Sequence, residues 1–113
     1  MIIEETLETL LKPLATGSCW PLVAPDKPAT PYIVYQNISN TPEVTLSDGV
    51  PINNTRMQID VYAKSYKDVK AVAAAVVTAM ATAAFTNVPL QNQDLYEQDV
   101  KLYRVQMDYS LWF

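Results

Sequence analysis

Thr55-Arg56-Met57-Gln58-Ile59-Asp60-Val61-Tyr62-Ala63 alternates between core-forming and polar residues over its central positions. A strand points successive side chains to opposite faces, so Met57, Ile59 and Val61 share one face while Arg56, Gln58 and Asp60 share the other. One apolar and one polar face is the pattern of an antiparallel sheet covered on one side only. Arg104-Val105-Gln106-Met107-Asp108 echoes Arg56-Met57-Gln58-Ile59-Asp60 type for type. The echo predicts two antiparallel neighbours with Gln58 opposite Gln106, which sets Arg56 against Asp108 and Asp60 against Arg104. Opposite charges across strands are worth roughly 0.2–1 kcal/mol each. This pairing is expected at the centre of the sheet, with both apolar faces turned toward the helices.

Outward from that centre, Val100 to Phe113 reads as a strand, with Tyr103, Val105, Met107, Tyr109, Leu111 and Phe113 on one face. Tyr32 to Ile38 is a strand rich in aromatic and β-branched residues. Ser65 can cap a helix from about Tyr66 to Ala84, and Asp68 stands at the capping-box position. Val69, Val72, Val76, Val77 and Met80 form its apolar stripe. Its other face, with Ala71, Ala74, Ala75, Thr78, Ala81 and Thr82, is small and permits close approach of another backbone: packing on the first helix is the favoured reading and a subunit interface the alternative. That first helix spans residues 2–14, with Ile3, Leu7, Leu10, Leu11 and Leu14 at helical spacing and Glu4, Glu5, Glu8 and Lys12 on the other face. Pro21, Pro25, Pro28 and Pro31 make residues 18–31 an extended loop with a short strand near Trp20 to Val23. Residues 40–54, broken by Pro42, Gly49 and Pro51, read as a long excursion or a mobile hairpin in which only Val44 to Leu46 pair, and residues 86–99 as an irregular start followed by a strand near Asp94 to Glu97. The order is α-β-β-β-α-β-β: an α+β fold with two helices packed on one face of an antiparallel sheet of four to five strands.

The chain has 113 residues, half of them apolar and 18% charged, which suits one globular domain over residues 1–113. Its net charge is −4 with no basic cluster, so specific nucleic-acid binding is not expected. It contains no histidine, which removes Ser-His-Asp and Cys-His catalysis and every His-ligated metal site. The lone Cys19 has no partner for an internal disulfide and reads as a small buried residue. Asp94, Glu97 and Asp99 lack the spacing and central glycine of a calcium loop and read as a solvated turn. No catalytic, cofactor or metal residue is assigned. No leader segment or membrane span is read, and a reducing cytoplasm is the expected place of synthesis. The tyrosines read as sheet packing, with Tyr62 and Trp112 as the exceptions for assembly. Trp112 and Phe113, two large aromatics at the end of the sequence, point either to a docked last strand or to a partner contact.

Taken together, several residues carry a resemblance: the leucine-patterned first helix, Pro31-Tyr32-Ile33-Val34-Tyr35, the polar loop with Leu46-Ser47-Asp48-Gly49, Arg56 to Ala63, the Ser65-led helix, and Leu102-Tyr103-Arg104-Val105-Gln106-Met107-Asp108-Tyr109. The chain resembles the tail-completion, or tail-terminator, family of long-tailed bacteriophages, prophages and gene-transfer agents. That resemblance implies a structural protein and not an enzyme. It implies a homo-oligomeric ring, a hexamer, at the head-proximal end of the tail in the virion, in contact with the tail tube protein and the head–tail connector proteins, with DNA passing through. An acidic wall suits such a conduit, because like charge keeps DNA from sticking. Candidate assembly residues are Val44, Leu46, Asp48, Gly49, Val50, Ile52, Tyr62, Trp112 and Phe113. The rival readings are a neighbouring head-completion or connector subunit and, in a different class, a small ligand-binding α+β domain with a concave polar pocket.

Overall fold

The computed structural model describes residues 3–15, 18–23, 29–44, 51–83 and 85–112. Helix α1 (Ile3–Leu11) runs into a 3₁₀ turn at Lys12–Leu14, followed by β1 (Cys19–Pro21), β2 (Tyr32–Val44), β3 (Pro51–Ala63), α2 (Tyr66–Ala81), β4 (Thr86–Glu97) and β5 (Leu102–Trp112). The element order is the expected one, and the described strands form a five-stranded sheet in the order β1-β2-β3-β5-β4. The sheet is mixed rather than antiparallel throughout, because β1 runs parallel to β2. Leu22 takes a left-handed conformation (φ 63°) directly after β1, and its N–H donates to the Tyr35 carbonyl. A bulky residue adopts that conformation only at a turn or under strain.

The helices cover one face. Ile3, Leu7 and Leu11 of α1 and Val69, Ala73, Val76 and Met80 of α2 meet Ile33, Tyr35, Met57, Ile59, Val61, Val105, Met107, Tyr109 and Leu111 in the core. Ser65 caps α2 as expected, its Oγ accepting from the Asp68 N–H at 3.1 Å. The stripe of α2 differs from the expected one. Val77 is 46% exposed, whereas Ala73 is buried. Positions 69, 73, 76 and 80 follow the 4-3-4 spacing of a single helical face, and Val77 stands 100° away from Val76. The Ala/Thr face does not pack on α1: Ala71, Ala74, Thr78, Ala81 and Thr82 are exposed. Thr78 and Thr82 satisfy their hydroxyls on the Ala74 and Ala79 carbonyls of their own helix.

The excursion read over residues 40–54 is ordered in part as strand. β2 and β3 stay paired as far as Val44 opposite Pro51, with one bulge between Asn37 and Ser39. Residues 45–50 lie outside the described residues. Likewise β4 begins at Thr86, not near Asp94, and a bulge between Pro89 and Gln91 absorbs the proline. Prolines survive in these strands because β4 is an edge and β2 has no neighbour outside it beyond Tyr35 among the described residues.

Cys19 is buried as expected, and burial foremost, with Glu8 adding to it, pushes its thiol up to about 12. The thiolate is the reactive form. Native protein at pH 8 is therefore expected to leave Cys19 unmodified by a disulfide reagent over the time in which urea-unfolded protein reacts fully. Rapid reaction of the folded chain would contradict this burial.

Candidate functional site

Among the described residues the opposite face of the sheet carries no helix, yet it is not simply solvated. Its rows can be read from the strand registers: Tyr32, Tyr62, Arg104 and Leu95 stand in one row, Val34, Asp60, Gln106 and Gln93 in the next, then Gln36, Gln58, Asp108 and Gln91. The echo pair β3 and β5 is central, but its register is two residues from the expected one: Gln58 lies opposite Asp108, not opposite Gln106. A slip of two keeps every side chain on its face, whereas a slip of one would exchange the faces. Both expected ion pairs form, on diagonals. Arg56 Nη2 donates to Asp108 Oδ2 at 3.0 Å, and Arg104 Nε donates to Asp60 Oδ1 at 3.2 Å. Diagonal neighbours are about 7–8 Å apart, a span that an extended arginine bridges and a directly opposed one would overshoot.

Asp60 and Asp108 are 5% and 4% exposed, although no helix covers them among the described residues. Arg104 is the hub that closes over Asp60. It also donates to Glu97 Oε1 at 2.8 Å and to Gln106, and its guanidinium lies 5.7 Å from the centre of the Tyr62 ring. Burial works against the Arg104 charge. The hydrogen bonds to Glu97 and Asp60 outweigh it and hold the guanidinium above its usual range. Gln58 Nε2 gives Asp60 its second oxygen a donor at 2.8 Å. Asp108 Oδ1 is buried with no hydrogen-bond partner among the described residues. Tyr62 stacks on Tyr32 with ring centres 4.9 Å apart. Burial is the main force that pushes its hydroxyl up to about 12; Arg104 opposes it and Asp60 adds to it.

The candidate assembly residues thus fall into two groups. Tyr62 and Trp112 are half-buried on the helix-free face, with Trp112 at the end of β5 between Asn54 and Thr86. Val44 and Ile52 sit at the far end of the β2–β3 pair. Leu46, Asp48, Gly49, Val50 and Phe113 lie outside the described residues. Glu97, read as part of a solvated turn, is a partner of Arg104, and Asp94 accepts from Tyr66 Oη at 2.8 Å and Lys70 Nζ at 3.2 Å. Their sequence spacing carried no sign of these contacts, which depend on partners in α2 and β5. The Tyr66 hydrogen bond, with Lys70 second, holds the Asp94 carboxyl below its ordinary 3.8. The stability from this contact is present above the ordinary value and is lost as pH falls through the lowered one. Replacing Tyr66 by phenylalanine is expected to raise the Asp94 titration midpoint, followed by side-chain carboxyl NMR. An unchanged midpoint would dismiss the hydrogen bond.

Open grooves flank the sheet among the described residues. One of about 400 Å³ lies beside the outer edge of β2, between Glu4 and Glu5 of α1 and Leu22, Tyr35 and Gln36. The other, about 270 Å³, runs along β4 beneath Val77, against Leu90, Asn92 and Tyr109. Neither collects the convergent polar groups of a small-molecule site. No group of His, Cys, Asp and Glu suited to a metal ion occurs among the described residues.

The sequence profile of the tail completion protein gp17 family matches residues 11–113. The chain belongs to that family. Membership makes it a phage tail-completion protein, structural in class. A chain from the solved virion of a native gene transfer agent particle has the same fold, with a TM-score of 0.60 at 17% identity over 94% of this chain and 82% of that one. No curated protein matches the sequence. On this tail-completion chain the described surface features are the buried polar face, the open grooves and the sheet edges.

Proposed function

We propose that this protein caps the head-proximal end of a phage tail tube as a homo-oligomeric ring, a hexamer, and forms part of the joint to the head's connector proteins. The observation that carries the reading is the family match over nearly the whole chain, residues 11–113. The gene transfer agent virion fold supports it, and so does a net charge of −4, which suits a wall past which DNA must slide. The protein resides in the virion after assembly in the bacterial cytoplasm. Tyr62, Trp112 and the far end of the β2–β3 pair are its candidate contacts.

The test is mass-resolved solution size across a concentration series, with and without purified tail tubes, followed by negative-stain imaging of the heaviest species. A closed ring with a pore that admits duplex DNA, alone or on tube ends, is the expected result. Failure to form a ring in either condition rejects the reading.

A further inference from the structure

The sheet has two open edges of unequal kind. β1 covers β2 only from Ile33 to Tyr35, which leaves the backbone from Gln36 to Val44 without a neighbour outside it among the described residues. On the other side β4 is the edge over its full length, and Val88, Leu90 and Tyr96 are about half exposed. Unpaired edges of this length are templates for another strand. The groove of about 400 Å³ lies where β1 ends, between Leu22 and Gln36 and Asn37, so among the described residues no strand lies outside β2 from there on.

Strand direction decides what fits. β2 and β3, β3 and β5, and β5 and β4 are each antiparallel, so β4 runs opposite to β2. Rotation about an axis along the strands preserves direction. It therefore brings β4 of a second copy beside β2 as an antiparallel partner, continuing the sheet. Such a head-to-tail contact closes into a ring when the rotation closes.

Charge agrees with the same placement. α1 lies on the β1–β2 side, where Asn37 donates to Glu4, and it carries Glu4, Glu5 and Glu8. α2 lies on the β3–β5 side and reaches β4 through Lys70, with Lys64 and Lys67 exposed beside it. Glu8 stands near Cys19, whose row runs through Ile33, Val61 and Val105 to Asp94, the residue that Lys70 holds. Continuing the sheet thus sets the acidic side of α1 toward the basic start of a second copy's α2. The facing stretches Gln36–Thr41 and Gln91–Gln93 carry no charge to oppose it.

We infer that β4 of one copy adds antiparallel to the open edge of β2 in the next, so that the ring is a continuous sheet with α1 and the neighbour's α2 paired by charge. The inference rests on the ring reading above and specifies how the ring closes. The test uses oxidative cross-linking of assembled protein, on tube ends if assembly needs them, in a Cys19→Ala background. Ser39→Cys is combined in turn with Val88→Cys, Gln91→Cys and Gln93→Cys, all exposed positions on the helix-free face. Directly opposed strand residues have the spacing that a disulfide needs. Expected is a ladder of linked copies for one of the three combinations. Ser39→Cys with Asn92→Cys, on the other face, should give at least tenfold less. Rings without a ladder at any of the three overturn the edge pairing and leave the ring reading standing. Absence of rings on and off tubes overturns the ring reading, and the edge pairing with it.

Discussion

Arg104→Ala is expected to destabilise the protein by about 2–3 kcal/mol, far more than an ordinary surface ion pair. The reason is Asp60. Its side chain is 7% exposed, and Arg104 is its cationic partner. Removing one member of a buried pair leaves the other charge without compensation, which is worth about 3–5 kcal/mol when burial is complete. The lower figure applies here because the Arg104 side chain is 19% exposed and Glu97 is 39% exposed, so water reaches part of the network. The sign of the coupling is the sharper part. Asp60→Asn added to Arg104→Ala should recover part of the loss, since no charge is then stranded. Asp60→Asn alone should destabilise. Urea unfolding of the two single variants and the double variant measures all three values. A loss under about 0.5 kcal/mol for Arg104→Ala would mean that Asp60 is hydrated in solution.

The contrast within this network explains what could be read from the sequence. The echo between Arg56–Asp60 and Arg104–Asp108 identified the central strands and all four charged partners, because alternation and charge type are local facts. The register lies two residues from the one that direct opposition of the charges predicts, because the arginines reach along diagonals. Glu97 and Asp94 were assigned to solvent for a related reason: an exposed acid is recognised as a partner only when the strand or helix beside it is known. The parallel β1 and the extension of β2 to Val44 were equally hidden. Pro42 and Pro51 are turn signals in isolation; Pro42 becomes acceptable once the outer side of β2 is known to lack a neighbour among the described residues, and Pro51 because it opens β3 beyond the stretch that β5 pairs. Nothing local to residues 36–44 says that no described strand lies outside them, although that open edge is what the pairing with a second copy would use.

The helix layer yields the second large effect. α1 has only nine residues, and helices of that length are marginal on their own in water. It persists because Leu7 and Leu11, both fully buried, belong to the core formed with the sheet. Leu7→Ala removes that anchor and leaves a cavity, at a cost of about 3 kcal/mol. For a domain of this size the melting temperature should fall by roughly 10 °C. Val77→Ala is the matched control on the other helix. The leucine spacing of α1 and the valine spacing of α2 look equally apolar, but Val77 is 46% exposed, so its truncation should change stability by no more than about 0.5 kcal/mol. If both substitutions cost the same, α1 is not docked on the sheet through Leu7. The acidic side of α1 would then not be held where a neighbour's lysines can meet it. The two helices therefore test one premise from different ends: the short one owes its existence to the core, and the longer one leaves Val77 and its Ala/Thr face free for contacts outside the chain.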